Sequence, residues 1–154
     1  MEGGNGDDTY LFGQGDGHDT ILEVETRADR RNIVKLLGRT AQEIEICMRN
    51  AGSYYDDLII RIRDTGETLT VRNGLCSRYG NADNSFSIQA VEFADGTVWE
   101  WSDILDQPIH FLSDQVSNAG RFEASHIVGN DLNNTIYGSA YNDRLYGGGG
   151  NDWF

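Results

Sequence analysis

Glycine and aspartate recur at a fixed spacing at both ends of this 154-residue chain, a pattern able to build a cation site. Residues 3–10 read Gly3-Gly4-Asn5-Gly6-Asp7-Asp8-Thr9-Tyr10, and the last eight read Gly147-Gly148-Gly149-Gly150-Asn151-Asp152-Trp153-Phe154. Both fit one nonapeptide, G-G-x-G-x-D-x-U-x, in which U is a large apolar residue. Glycine lets the backbone turn tightly through left-handed conformations, so carbonyl oxygens can face a common centre. The aspartate adds a carboxylate, and an all-oxygen donor set suits a hard cation such as Ca²⁺. The residues after the aspartate form a short strand whose U side chain points inward. A period of nine closes half a coil, so turns eighteen residues apart stack.

The elements that must position these turns fall into three parts with a connector. The first, residues 1–37, continues with Gly13 and Gly15, nine residues after Gly4 and Gly6, while Asp19-Thr20-Ile21 lies eleven after Asp8-Thr9-Tyr10. The turn is therefore expanded by two residues. An eroded third copy ends at Asn32-Ile33-Val34-Lys35-Leu36, with Arg30-Arg31 in place of glycines. Residues 38–108 lose the repeat and alternate apolar with polar side chains, as strands with one buried face do. Ile44, Ile46 and Met48, then Ile60 and Ile62, Leu69 and Val71, and Phe86, Ile88 and Ala90 mark those faces. Turns are expected at Thr65-Gly66-Glu67 and, as type I′, at Asp95-Gly96. Thr40 to Glu43 has capping-box spelling, and Ser102 opens a short helix. Residues 109–119 read as a connector. In residues 120–154 glycines recur at Gly120, Gly129, Gly138 and Gly147, with U residues Ile127, Ile136, Leu145 and Phe154 in the same step. The aspartate position runs Ser125, Asn134, Asp143, Asp152, so its ligand quality improves along the chain. The expected fold class is mainly β: parallel β-roll fragments flanking a small antiparallel β unit.

Composition removes several functions. A formal net charge of −13, with twelve basic residues against twenty-five acidic ones, speaks against nucleic acid or an anionic membrane as partner. No apolar run approaches the ~20 residues of a membrane span, and no signal peptide is visible. Cys47 and Cys76 define no disulfide framework, and Cys47, in an alternating strand, reads as a buried free thiol ahead of the alternative, a bridge to Cys76. An EF-hand fails on position: counting twelve from Asp7, Asp8, Asp16 or Asp131 reaches His18, Asp19, Arg27 or Asn142, never a glutamate. His18, His110 and His126 lack zinc-ligand spacing. No P-loop or nucleophile elbow is present, and the segment reads as non-enzymatic. The aromatic residues Tyr54-Tyr55, Trp99, Trp101 and Trp153 leave open an adhesive or partner-binding module, with core packing as the simpler use of those rings.

The repeats resemble the RTX (repeats-in-toxin) haemolysin-type calcium-binding proteins exported by Gram-negative bacteria. The stretches Asp57-Leu58-Ile59-Ile60-Arg61-Ile62 and Phe93-Ala94-Asp95-Gly96-Thr97-Val98-Trp99 resemble the β-rich segment that follows RTX blocks. The resemblance implies secretion through a type I channel, folding outside the cell on Ca²⁺, and a longer parent toxin, adhesin or exoenzyme with an unknown host target. By position it puts carboxylate ligands at Asp8, Asp19, Asp143 and Asp152, and carbonyl ligands at Gly3, Gly4, Asn5, Gly6, Gly13, Gly15, Gly138, Gly147, Gly148 and Gly150. The Gly129 turn, with Asp131 and Asn134, pairs with the Gly147 turn as the most complete internal C-terminal site. Leu132 and Tyr141 stand where that turn prefers glycine, at a cost if their φ is positive.

Overall fold

Alternation at period two decides which face of each strand is buried, and two sheets close their apolar faces on each other. The computed structural model describes residues 1–23, 30–52, 55–76, 88–118 and 124–154. The strands are β1 (Thr9–Gly13), β2 (His18–Ile21), β3 (Ile33–Leu37), β4 (Ile44–Gly52), β5 (Tyr55–Ile62), β6 (Thr68–Cys76), β7 (Ala90–Glu92), β8 (Val98–Glu100), β9 (Ile109–Phe111), β10 (His126–Val128) and β11 (Arg144–Tyr146). One helix, α1 (Trp101–Asp106), separates β8 from β9. The smaller sheet runs β1-β3-β7-β8 and the larger β11-β10-β9-β4-β5-β6-β2.

The protein is mainly β, with parallel pairs at both ends and an antiparallel meander between them. β4-β5-β6 is antiparallel, whereas β2 joins β6 and β9 joins β4 in parallel. The meander thus links the two repeat regions into one seven-stranded sheet. Its inner face carries Ile21, Val71, Leu58, Met48 and Phe111 in one register, and Leu69, Ile60, Ile46, Ile109 and Ile127 in the next. Tyr10, Val34 and Val91 face them from the smaller sheet. All these side chains belong to a single buried cluster. A one-residue slip in any strand would turn its apolar set to solvent, which fixes the register.

Several local readings are corrected. Residues 109–118 are not simply a connector: Ile109 pairs with Ile127, Ile127 with Leu145, Ser117 with Thr135, and Thr135 with Trp153. Every step is eighteen residues, so the C-terminal roll gains a coil that carries no glycine spelling. The Asp95-Gly96 turn is not type I′. Only Gly96 takes a positive φ, of 87°, and Phe93 N–H bonds Thr97 O at 2.9 Å around a three-residue loop. The Thr40 box forms, with Thr40 N–H donating to Glu43 Oε2 at 2.7 Å. α1 starts one residue earlier than its serine suggests, because Glu100 is its cap and its N–H donates to Asp103 Oδ2 at 2.9 Å. Phe86, Tyr54 and Gly120 lie outside the described residues.

Candidate metal centre

Stacked coils are stitched through the aspartate position of the repeat. Asn134 N–H donates to Asp152 Oδ1 and Ser125 N–H to Asp143 Oδ1, both at 2.9 Å and both eighteen residues apart. Asp8 N–H makes the same bond to Asn32 Oδ1 at 2.9 Å, twenty-four residues on, so the eroded copy keeps its structural role. Asn32 N–H in turn donates to Gln89 Oε1 at 2.6 Å. The side chains of Asp8, Asp143 and Asp152 each fold back over the first glycine of their own turn. A Cβ on Gly3 would lie 2.1 Å from Asp8 Oδ2, on Gly138 2.7 Å from Asp143 Oδ2, and on Gly147 2.2 Å from Asp152 Oδ2. The first glycine is therefore set by side-chain packing and not by φ.

The second and fourth positions divide the turns into two kinds. Gly4 and Gly6 have φ of 89° and 119°, and Gly148 and Gly150 have 90° and 92°, the left-handed conformation expected of the repeat. In the turns 129–134 and 138–143 nothing is strained, because Leu132 and Tyr141 avoid positive φ altogether. Side chains hold those loops. Ser139 donates to the Asp143 carboxylate from its N–H at 2.6 Å and from its hydroxyl at 2.9 Å, and Tyr141 N–H donates to Ser139 Oγ. Asn130 N–H donates to Asn134 Oδ1, and Asn134 Nδ2 to Asn130 Oδ1, each at 3.0 Å. Asp131 is exposed beside Gly149. The 147–150 turn rests on this loop through Gly149 N–H to Asn130 O at 2.9 Å.

The N-terminal turns differ again. Positive φ falls at Gly15 and Gly17, eleven residues after Gly4 and Gly6, the same offset that carries Asp8 to Asp19. The two-residue expansion therefore precedes Gly15, and Gly13 serves as the end of β1, close against Leu37. Asp19 sits in β2 opposite Leu69. Two acids that the repeat spelling does not mark complete these turns. Glu67 Oε1 accepts from Gly15 N–H at 2.8 Å and Gly17 N–H at 3.1 Å. The Thr65 hydroxyl and the Gly17 amide hold the Glu67 carboxyl below the ordinary carboxylate range. Glu23, 4% exposed, accepts a bond from the Tyr10 hydroxyl. Burial, and then that bond, raise the Tyr10 phenol well above its ordinary value and keep it a donor. Asp8 Oδ2, Glu23 Oε2 and Glu67 Oε2 are buried with no hydrogen-bond partner.

A hard cation fits this donor set. Buried carboxylate oxygens without donors are costly, and three of them border glycine turns. Among the described residues no three His, Cys, Asp or Glu side chains converge, so main-chain carbonyls would supply most of the ligands. The aromatic residues offer less. Trp99 packs edge-on against Phe93, with centroids 4.7 Å apart, and Trp101 also rests on the core, leaving Trp153 exposed at the far end.

Glycine turns stacked coil on coil, each closed by an aspartate or asparagine, are the architecture of a calcium-binding repeat. Two family models agree. The RTX calcium-binding nonapeptide repeat (4 copies) matches residues 128–154, and the haemolysin-type calcium binding protein related domain matches residues 57–103. Each model covers less than half of the chain, and together they support an RTX-type calcium-binding repeat protein. No curated protein and no solved structure gives a match.

Proposed function

We propose that this chain is a calcium-responsive folding module of a larger secreted protein, itself without catalytic function. The observation that carries the reading is the set of buried, donorless oxygens on Asp8, Glu23 and Glu67 beside the N-terminal glycine turns. In this reading Gly3, Gly4, Asn5, Gly6 and Asp8 form one site with Glu23. Gly15 and Asp19, with Gly13 behind them, form a second with Glu67. Gly129, Asp131 and Asn134 face Gly147, Gly148, Gly150 and Asp152 across a third, and Gly138 with Asp143 forms the fourth. Asp143 already receives protein donors on both oxygens, which makes the fourth the weakest.

Bound calcium supplies compensating positive charge and a demand for six to eight oxygens. The residues do the rest. At a net charge of −13 the acids repel one another in the compact state, and nineteen glycines add backbone entropy to be lost. Energy gained at the turns then becomes folding energy, with site affinities of ~10⁻⁴ to 10⁻³ M as in other extracellular modules.

Far-UV circular dichroism during a calcium titration, with magnesium as control, tests this. The expected result is a calcium-specific gain of β structure. Asp8→Asn with Glu23→Gln should move the midpoint roughly tenfold higher, about 1.4 kcal/mol, while Ser125→Ala leaves it in place. A chain equally folded in chelator would overturn the reading.

A further inference from the structure

The outer face of the seven-stranded sheet reverses the charge of the chain as a whole. One register across it reads Thr20, Thr70, Ile59, Cys47, His110, Val128 and Tyr146. The neighbouring one places His18, Thr68, Arg61 and Glu45 on one side and His126 with Arg144 on the other. Arg49, Arg63 and Arg72 extend the same face. It gathers five of the twelve basic residues and all three histidines against two of the twenty-five acids, Glu45 and Asp57. Glu45 is shared by Arg61 and Arg63 at 3.5 Å and His110 at 3.9 Å, and Asp57 pairs with Arg72 at 3.9 Å. Arg49 and Arg144 have no side-chain partner among the described residues and are exposed. A cleft of about 470 Å³ opens here, with Arg49, Arg61 and His18 beside the hydroxyls of Thr20, Thr68 and Thr70 over an Ile59 floor, and with Asp19 as the one acid in its lining.

We propose that this face binds an acidic oligosaccharide, with its carboxylates on Arg49 and Arg61 and its hydroxyls on the threonines. Guanidinium forks match carboxylates in geometry and charge. Side-chain hydroxyls beside an apolar floor suit a ring that is itself part apolar and part hydroxylated. An acidic peptide is the poorer occupant. A peptide joins a sheet through main-chain bonds at its edge, whereas Arg49, Arg61, Thr68 and Thr70 stand on the flat face of the interior strands β4, β5 and β6. The chain's overall −13 charge favours short anions over a long nucleic acid. His18 follows Gly17 and Thr68 follows Glu67, so one end of the cleft abuts the Gly15–Gly17 turn. Arg49 and Arg61 lie outside every glycine turn and carry the proposal apart from the calcium reading.

The test uses the whole chain with saturating calcium. A uronic-acid tetramer is titrated by calorimetry and by amide chemical-shift mapping, against its carboxyl-reduced neutral analogue and an oligoglutamate. The expected result is saturable, salt-sensitive binding of the uronide alone, with shifts confined to β2, β4, β5 and β6. Arg49→Gln with Arg61→Gln should weaken it ~10-fold or more, through loss of charged hydrogen bonds, and Lys35→Gln on the opposite sheet should not. Shift mapping on the wild-type chain decides the matter even where the double variant misfolds. No binding, shifts centred on the glycine turns, equal affinity for the neutral sugar, or oligoglutamate bound as tightly would each overturn the proposal.

Discussion

Gly129 gives the sharpest quantitative test of the stacked roll. A methyl group there would lie 2.1 Å from Gly147 O and 2.3 Å from Asn134 Oδ1. The first contact is main chain of the next coil, fixed by Gly129 N–H to Tyr146 O at 2.7 Å and by Gly149 N–H to Asn130 O at 2.9 Å. That backbone cannot swing aside as a side chain can. Overpacking costs ~1–3 kcal/mol and more where nothing yields, so Gly129→Ala should cost about 3 kcal/mol. Gly66→Ala is the matched control, since its φ is 76° but no atom lies within 4 Å of the added methyl. It should cost only the left-handed penalty of ~1–2 kcal/mol. In thermal melts at saturating calcium, about 3 kcal/mol corresponds to a drop of roughly 6–12 °C for a chain of this length. A Gly129→Ala melting temperature no lower than that of Gly66→Ala would refute the eighteen-residue stacking as the source of this glycine.

Ile60 is fully buried between Ile46 and Leu69, so Ile60→Ala should lower stability by ~2–5 kcal/mol in denaturant titration; a change near zero would mean the sheet faces are inverted. Burial first and Glu45 second push the Cys47 thiol up to about 12, so it carries almost no thiolate at neutral pH. In a Cys76→Ser background, iodoacetamide should label Cys47 only as fast as the chain unfolds, and rapid native labelling would contradict its burial. Glu67 titrates below the ordinary carboxylate range in the folded chain, so its stabilising effect is complete above the unfolded pKa and fades as pH falls through the folded one. Glu67→Gln should accordingly flatten the loss of stability in acid melts at fixed calcium, and an unchanged pH profile would separate Glu67 from the Gly15 turn.

The repeat was legible because its period is enforced twice, by the inward U residues Tyr10, Ile21, Ile127 and Ile136 and by the aspartate-position bond to the coil before. Phe154, the last of the U series, is exposed. Asn32 shows how robust that is, since it keeps the bond to Asp8 N–H across a spacing of twenty-four. The meander was legible from alternation alone: Ile44, Ile46 and Met48 lie inside as the pattern requires. The coil at 109–118 was hidden because it contributes strand and bridge but no glycine turn. Glu67 was hidden for a different reason. It reaches Gly15 from fifty-two residues away, and only the β2–β6 pairing brings it there. Spacing rules describe local chemistry, and a ligand delivered by tertiary pairing leaves no local trace.

The same argument limits what a repeat letter can mean. Asp8 and Asp143 occupy one position of one nonapeptide, yet Asp8 keeps an oxygen with no donor while Asp143 is satisfied by Ser139 and Ser125. The difference lies in the second position of the turn. Glycine at Gly4 opens the backbone to positive φ and brings no competing group, whereas Ser139 keeps ordinary φ and brings a hydroxyl that bonds the carboxylate. A turn of the first kind holds a carboxylate ready for a cation, and one of the second kind is closed by the protein itself. Net charge misleads in the same way. At −13 the chain reads as uniformly acidic, but strand alternation sorts Arg49, Arg61 and Arg72 onto one face that carries only Glu45 and Asp57 against them.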